Sequence, residues 1–464
     1  MGLGAGPVTF DPRFATDGVS SRLNRLIYEQ LVDFDAALQP VARLATWVTP
    51  SPTHYRFTLV DSRAPFHDGS TVTAVDVEAT YRSVLDETTG SPHRGGLTNI
   101  ERVVAIDDNT VDFHLVKPDP LFPGKLVVGI MPAKGIAKDH PFNTDPVGSG
   151  PFDYQSWDDE QRVRMTRRRD DFVVDVLKIQ EPTTRVLKLL RGEIDLIQAD
   201  VAPEVVGWLE QKPQLRVGRE QGTRFTYLGF NLEDPLVGNQ TVREAIAYAL
   251  DRDAILEHVF KGGARPASAL LVPGHWAGHA TLPSLDHNLE RARALLSEAG
   301  FPNGVDVVYK TSADAFRVRL ASIIQHQLGR VGIRVRVQSN DWGTFYGDVK
   351  AGRFQMYSLS WVGIKTPDIF RYVFHSDAVP PKGANRGRYR DLEVDTLIDR
   401  AEASQDLGEQ AELYRALQAR LLSTLPYVPL WYEDNFYAAN ARVRDYQLTP
   451  DGNYDGLLTV GIRN

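Results

Sequence analysis

The chain contains no cysteine, which removes disulfides, thiolate metal sites and cysteine nucleophiles together. No apolar run approaches the roughly 20 residues that a membrane helix requires. The longest runs, such as Leu126 to Ile130, are strand-sized. An excess of positive charge is also missing: 52 Lys and Arg against 60 Asp and Glu leave a net charge of -8, and the two signs interleave along the chain. That distribution gives no electrostatic footprint for nucleic acid or an anionic membrane. No Gly-x-Ser-x-Gly elbow, Walker loop or His-Glu-x-x-His stretch occurs, although two ordinary carboxylates could form a glycosidase pair without any sequence signature. Internal repeats and low-complexity tracts are absent as well.

What is present is ordinary globular composition, with 42% hydrophobic and 24% charged residues. A length of 464 residues exceeds what one core sustains, so two or three domains are expected. The opening Met1 to Pro7 has neither a basic nor an apolar stretch, which fits either a cytosolic protein or one whose export signal has been trimmed. Leu23, Leu26, Ile27 and Leu31 recur at helical spacing, predicting a helix over 20–31 with Ser20 or Ser21 as its cap. Tyr55 to Leu59 alternates as a strand, and Phe66-His67-Asp68-Gly69-Ser70 has turn chemistry. Thr73 precedes a helix reaching Leu85, with Asp76 in its first turn. Val103 to Ile106, Asp107-Asp108-Asn109 and the alternating Val111, Phe113 and Leu115 read as a hairpin, so this block is α+β.

The Gly/Pro-rich stretch from Asp145 to Phe152 is a candidate boundary. Beyond it, Arg162 to Arg168 alternates into Arg167-Arg168-Arg169 and then Asp170-Asp171, read as a solvated strand end rather than an anion site. Phe225 to Asn231 is a strand entering a loop, followed by a helix over 242–250 and a second boundary candidate. A helix from Asn288 stops at Gly300. A strand over 305–309, a helix over 316–328 and a strand over 333–337 then follow in βαβ order, so this block is α/β. A helix over 409–422 precedes Pro426-Tyr427-Val428-Pro429-Leu430-Trp431.

Taken in order, these segments resemble one family over essentially the whole chain, the family 5 extracellular solute-binding proteins, which include oligopeptide-, dipeptide- and nickel-binding proteins. The matching segments are Asp11-Pro12, Ile27 to Leu31, Phe66 to Gly69 with Thr73 to Val77, and Pro146 to Phe152. Gly192-Glu193-Ile194-Asp195, Val242 to Ile246 through Asp251-Arg252, and Pro426 to Trp431 continue the series. The resemblance implies an α/β, periplasmic-binding-protein-like fold of type II, with two hinged lobes. Lobe I would be discontinuous (residues 1–40, 148–230 and 440–464), an α+β subdomain (41–147) would be inserted in it, and lobe II would span 231–439. It further implies a clamp that closes when ligand bridges the lobes and is read by ABC permease subunits. On this reading the protein is a monomer and not an enzyme. It takes a small-molecule or peptide ligand, no cofactor, no metal and no nucleic acid. It works in the periplasm or otherwise outside the cytoplasm, its export signal removed.

In peptide binders of the family, the strand end Leu359-Ser360-Trp361-Val362-Gly363-Ile364 lines the cleft, and the aspartate that holds a peptide's free amino group lies three positions after the tryptophan. That position is Ile364 here. Aligned back from Trp361 through Trp342, the arginine used for a dipeptide's carboxylate falls on Thr311, beside Lys310. A free dipeptide therefore fits poorly, because an unpaired buried charge costs several kcal/mol. Lys310 is either a carboxylate or phosphate ligand or a solvated strand-end lysine. Trp361 is favoured as a stacking platform and Trp342 as a packing residue. Tyr227 and Asn231, with Phe230, lie at the expected crossing and serve hinge packing or ligand contact. Thr16, Asp17 and Gly18 face the cleft in the family, with Asp17 a candidate for the missing cation anchor, and Ser149 is a candidate donor.

His275 and His279 have i, i+4 spacing, but Pro273, Gly274 and Gly278 argue against a helix and hence against a metal site. His67 beside Asp68 is expected to make a structural hydrogen bond. The ligand stays open among peptides lacking a conventional free amino terminus, sugar or opine-like conjugates, and metal chelates. A peptide or glycoside hydrolase and a ligand-bound sensor domain are the readings from other classes.

Overall fold

The structure, a computed structural model, describes residues 1–198 and 201–463. It divides into two compact units, one of residues 1–201, 205–220 and 435–464, the other of residues 202–204 and 221–434. The chain passes between them at 220–221 and at 434–435, inside the strands Leu215–Phe230 and Tyr427–Asn440. The crossings expected at Phe230 and Ala439 lie on these same strands, further along each.

In the first unit, Gly2–Leu3 pairs in parallel with Phe172–Lys178 and with Leu196–Gln198, while Arg162–Arg167 runs antiparallel between Phe172–Lys178 and Phe152–Asp158. Leu196–Gln198 pairs antiparallel with Tyr437 to Ala439. Phe10, Leu23, Ile27, Phe152, Met165 and Val176 form part of its core. The helix over Gly18–Ile27 begins two residues before the expected start and is capped by Asp17, not by Ser20 or Ser21. Ser20 is buried, its Oγ accepting from the backbone N–H of Val8 (2.7 Å) and Thr9 (3.1 Å). An unexpected feature is Arg167. The run of three arginines reads as a solvated face, yet Arg167 is buried, paired to Asp170 and donating to the carbonyls of Leu457 and Val460.

Residues 45–115 of this unit supply a four-stranded antiparallel sheet, ordered Ala45–Ser51, His54–Leu59, Thr110–Leu115 and Ile100–Ala105. Tyr55, Phe57, Val111 and Phe113 point to one face and meet Val77 and Tyr81 of the helix Ala74–Leu85 in a separate core. That helix begins as expected, with a capping box between Thr73 and Asp76.

In the second unit, Ile333–Asn340 and Val305–Ser312 run parallel, joined by the helix Ala315–Gly329, and Val305–Ser312 also pairs in parallel with Met356–Trp361. Phe225 to Phe230 then runs antiparallel to Met356–Trp361, with Phe225 opposite Trp361 and Tyr227 opposite Leu359. Strict alternation gives this sheet two buried faces. Leu228, Phe230 and Met356 join one core with the helices Gln240–Ala249, Leu289–Glu298 and Ala315–Gly329. Phe225, Tyr227 and Tyr357 join the other with the helices Ile369–Phe374, Leu392–Ala403 and Leu407–Thr424.

Candidate ligand-binding site

The strand Met356–Trp361 ends where its ladder with Phe225 ends, which frees the next residues from the sheet. Val362 and Gly363 are exposed, and Ile364 is half-buried against the core beneath Trp361. Gly363 has φ +72°, a backbone region that favours glycine, and a Cβ there would meet nothing. Its requirement within the chain is therefore conformational.

Trp361 does not stand alone. The guanidinium of Arg386 lies 4.9 Å from its ring and 5.3 Å from that of Tyr346, and Tyr346 stacks on Trp342 (5.4 Å, 6°). A continuous row of π faces and one cation thus joins Trp361 to Trp342. Below it, Tyr227 is wholly buried, stacked on Tyr427 (3.8 Å) and edge-on to Tyr357, and its Oη accepts from Arg386. Tyr227 reaches this row from underneath, as packing. Sequence reasoning missed Arg386, because Asn385-Arg386-Gly387 reads as loop and only folding brings it against Trp361.

The remaining candidates of this unit are engaged elsewhere. Lys310 is largely buried and paired to Asp348 (2.6 Å), whose carboxylate Lys310 and Arg353 hold below its usual range, so it is not a solvated strand-end lysine. Thr311 is buried. Asn231 closes a turn, donating to Gly352 O (3.2 Å) and accepting from Glu233 N (3.2 Å). Beside the strand end, Thr226, Arg317 and Arg224 gather on Glu433, and the Thr226 hydroxyl is also bonded to that of Ser360 (2.6 Å). Burial alone would raise the Glu433 carboxyl, but Arg317 and Arg224 outweigh it and hold it at about 2.

In the other unit, Asp17 Oδ1 accepts from Val19 N (3.1 Å) and Ser20 N (2.8 Å), so its carboxylate serves the helix N-terminus, flanked by exposed Thr16 and Gly18. Ser149 is buried and donates to Glu29 (3.3 Å), whose carboxyl burial raises despite Arg43 nearby. Glu29, Arg43, Arg25, Asp33 and Asp455 line a polar pocket of about 240 Å³. Gly148 and Gly150 press against the Ile27 carbonyl, where no side chain would fit. His67 locks the same loop, accepting from Gly148 N at Nδ1 and donating through Nε2 to Gly150 O (3.1 Å), which is the expected structural role.

His275 is buried, Nε2 donating to Lys365 O (3.0 Å) and Nδ1 accepting from Ala277 N (3.0 Å), and burial drives its pKa down to about 4. His279 lies in irregular chain, not one helical turn further on. Among the described residues, the donor set suited to a metal is His54, Asp112 and His114. The two imidazoles stack nearly parallel (4.5 Å, 17°), and Arg56 holds both Asp112 oxygens at 2.8 Å. Since an imidazole binds a metal in its ring plane, these donors do not converge on one point.

Comparison with known proteins bears on all of this. A family described as bacterial extracellular solute-binding proteins, family 5 (middle), matches residues 37–379. Di/tripeptide-binding protein 2 of Pseudomonas aeruginosa is 29% identical over 375 residues, covering 76% of this chain and 70% of its own. The periplasmic binding protein DppA of Helicobacter pylori, solved in complex with the peptide STSA, superposes with a TM-score of 0.81 at 25% identity, over 100% of this chain and 97% of its own. AgaA of A. tumefaciens, solved with agropinic acid, gives 0.78 at 26% identity, over 100% and 98%.

Proposed function

The chain belongs to the bacterial extracellular solute-binding proteins of family 5, and on that premise we propose that it captures a peptide-sized solute outside the cytoplasm and delivers it, as a monomer, to the permease subunits of an ABC importer. The fold is the two-lobed, type II periplasmic-binding-protein fold of these relatives. The relatives are binding proteins, so the hydrolase reading has no support from them. In our reading lobe I carries an inserted subdomain, and the ligand meets lobe II at Trp361 to Ile364.

One observation carries the choice of ligand. Ile364 occupies the position at which the resembling peptide binders place an aspartate, and it packs against apolar side chains. An ammonium brought there would lose water and gain no counter-charge. The ligand is therefore a peptide whose amino terminus is blocked or held elsewhere, and not a simple free dipeptide. A sugar or opine-like conjugate is the second reading, supported by the likeness to AgaA with agropinic acid and by the aromatic face of Trp361.

Native mass spectrometry of the purified protein identifies bound species, and thermal unfolding with each of them gauges affinity. A ligand at about 100 times its dissociation constant adds roughly 2.7 kcal/mol. Tight binding of free dipeptides that Ile364→Asp fails to improve would falsify the reading of Ile364. Consumption of the solute without a transporter would remove the importer role.

A further inference from the structure

Among the described residues, five arginines are at least nine-tenths buried: Arg167, Arg185, Arg243, Arg252 and Arg386. Four have backbone carbonyls as acceptors. Arg167 reaches the carbonyls of Leu457 and Val460 besides Asp170, and Arg185 reaches that of Ile179. Arg243 donates to the carbonyls of Val237, Gly238, Thr424 and Leu425, all within 3.0 Å. Arg252 donates to those of Ala267, Leu285 and Pro429.

Arg386 differs. No carbonyl and no carboxylate among the described residues takes a hydrogen bond from it. Its acceptors are two phenol oxygens, Tyr227 Oη at 3.3 Å and Tyr346 Oη at 3.1 Å. Phenol oxygens and ring faces offset a desolvated charge only in part, and a guanidinium has five N–H donors. The neighbouring Trp361 has an indole Nε1 that is buried with no hydrogen-bond partner, as have Trp157, Trp276 and Trp431. Arg386 thus keeps N–H donors beyond those taken by its two phenol partners, next to an indole N–H without an acceptor, at the strand end assigned to ligand.

We propose that Arg386, together with Trp361 Nε1, is an anion receptor that takes a carboxylate of the ligand. Arg386 supplies the charge-assisted hydrogen bonds and Trp361 one further donor and an apolar face. This rests on the solute-binding reading and narrows it to acidic solutes, such as peptides recognised through a terminal or side-chain carboxylate, or sugar acids. It also moves the charged anchor of the site from the amino-group position, vacated by Ile364, to the acidic end of the ligand.

Two measurements test it. The first is urea unfolding of ligand-free wild type, Arg386→Met and, as a reference, Arg243→Met. A receptor arginine gives an Arg386→Met variant as stable as wild type or more so, while Arg243→Met is clearly weakened. A structural arginine gives a weakened Arg386→Met variant, and that overturns the proposal.

The second is calorimetric titration with matched probes: mixed N-acetylated tetrapeptides as free acids or C-terminal amides, and gluconate against gluconamide. For at least one pair the acid is expected to bind wild type 50-fold or more above its amide, with the preference abolished in Arg386→Met. Acid and amide binding wild type alike, or a preference that survives the substitution, sinks the proposal. If no probe binds, the peptide and sugar-acid readings fall, and the unfolding comparison alone decides for or against Arg386 as a receptor.

Discussion

Arg243 and Arg386 lie in the same unit, both buried, and they are held in opposite ways. Arg243 fills the gap between the start of the helix Gln240–Ala249 and the end of the helix Leu407–Thr424, where the carbonyls of Thr424 and Leu425 have no partner of their own helix ahead of them. Burial lowers its pKa to about 10, which leaves it charged at any physiological pH. Four carbonyl dipoles stand in for the lost water. Arg386 has two phenol oxygens and two aromatic rings. The difference separates a tie from a receptor: where the fold closes every donor the arginine holds the fold, and where it leaves donors open the arginine waits for an acceptor from outside.

The comparison breaks first at Arg243. Arg243→Met orphans four carbonyls and is expected to cost about 3–5 kcal/mol, read as a lower urea midpoint at unchanged slope. A loss below about 1 kcal/mol would mean that carbonyl closure is not what fixes these buried cations. Glu433 sharpens the contrast from the acidic side, because it is buried with Arg317, Arg224 and Thr226 all directed at it. Its folded pKa of about 2 lies below the unfolded value near 4.5. Its contribution is therefore complete above pH 4.5 and lost as pH falls towards 2, a total of about 3 kcal/mol. Glu433→Gln should lower stability by about that amount at pH 7 and converge on wild type near pH 2. Parallel stability curves across that window would refute the pairing.

The parts legible from sequence are those where burial on one face imposes a period. Val305, Val307 and Tyr309 alternate into one core, and the βαβ order through Ile333 is as expected. The strand nevertheless runs on to Ser312, because Lys310, Thr311 and Ser312 pair through backbone with Gln338, Ser339 and Asn340 and leave no apolar mark. Arg167 shares the inward parity of Val163 and Met165, a signal that the charge run Arg167-Arg168-Arg169 masks. Trp361 and Ile364 were legible only through family resemblance. Arg386 was not legible at all, since its character comes from Tyr227, Tyr346 and Trp361, which meet it from two strands and a helix distant in sequence.

His275 extends the same distinction to a neutral group. Both ring nitrogens are satisfied by backbone, and burial lowers its pKa to about 4. Below the unfolded value of 6.5 the unfolded chain takes up a proton that the folded one refuses, so stability falls with pH between 6.5 and 4 and levels off below. By pH 5 this residue accounts for a loss of about 2 kcal/mol. His275→Gln should flatten that part of the stability curve, and an unchanged slope between pH 6.5 and 5 would show that the ring protonates in place.

The smallest effect is expected at Trp342, the outer end of the aromatic row. Its side chain is 59% exposed and its main neighbour is Tyr346, one helical turn on, while Asp341 caps the helix independently of it. Removing an exposed ring that stacks on a half-buried one forfeits little buried area, so Trp342→Ala should change stability by less than about 0.5 kcal/mol. Arg386 keeps its hydrogen bond to Tyr346 and its contact with the Trp361 ring without it. Ligand affinity, measured by calorimetry, should therefore fall by no more than about threefold, or about 0.7 kcal/mol. A tenfold loss at unchanged stability would place Trp342 on the ligand beside Trp361, and the receptor would then extend along the whole row rather than end at Arg386.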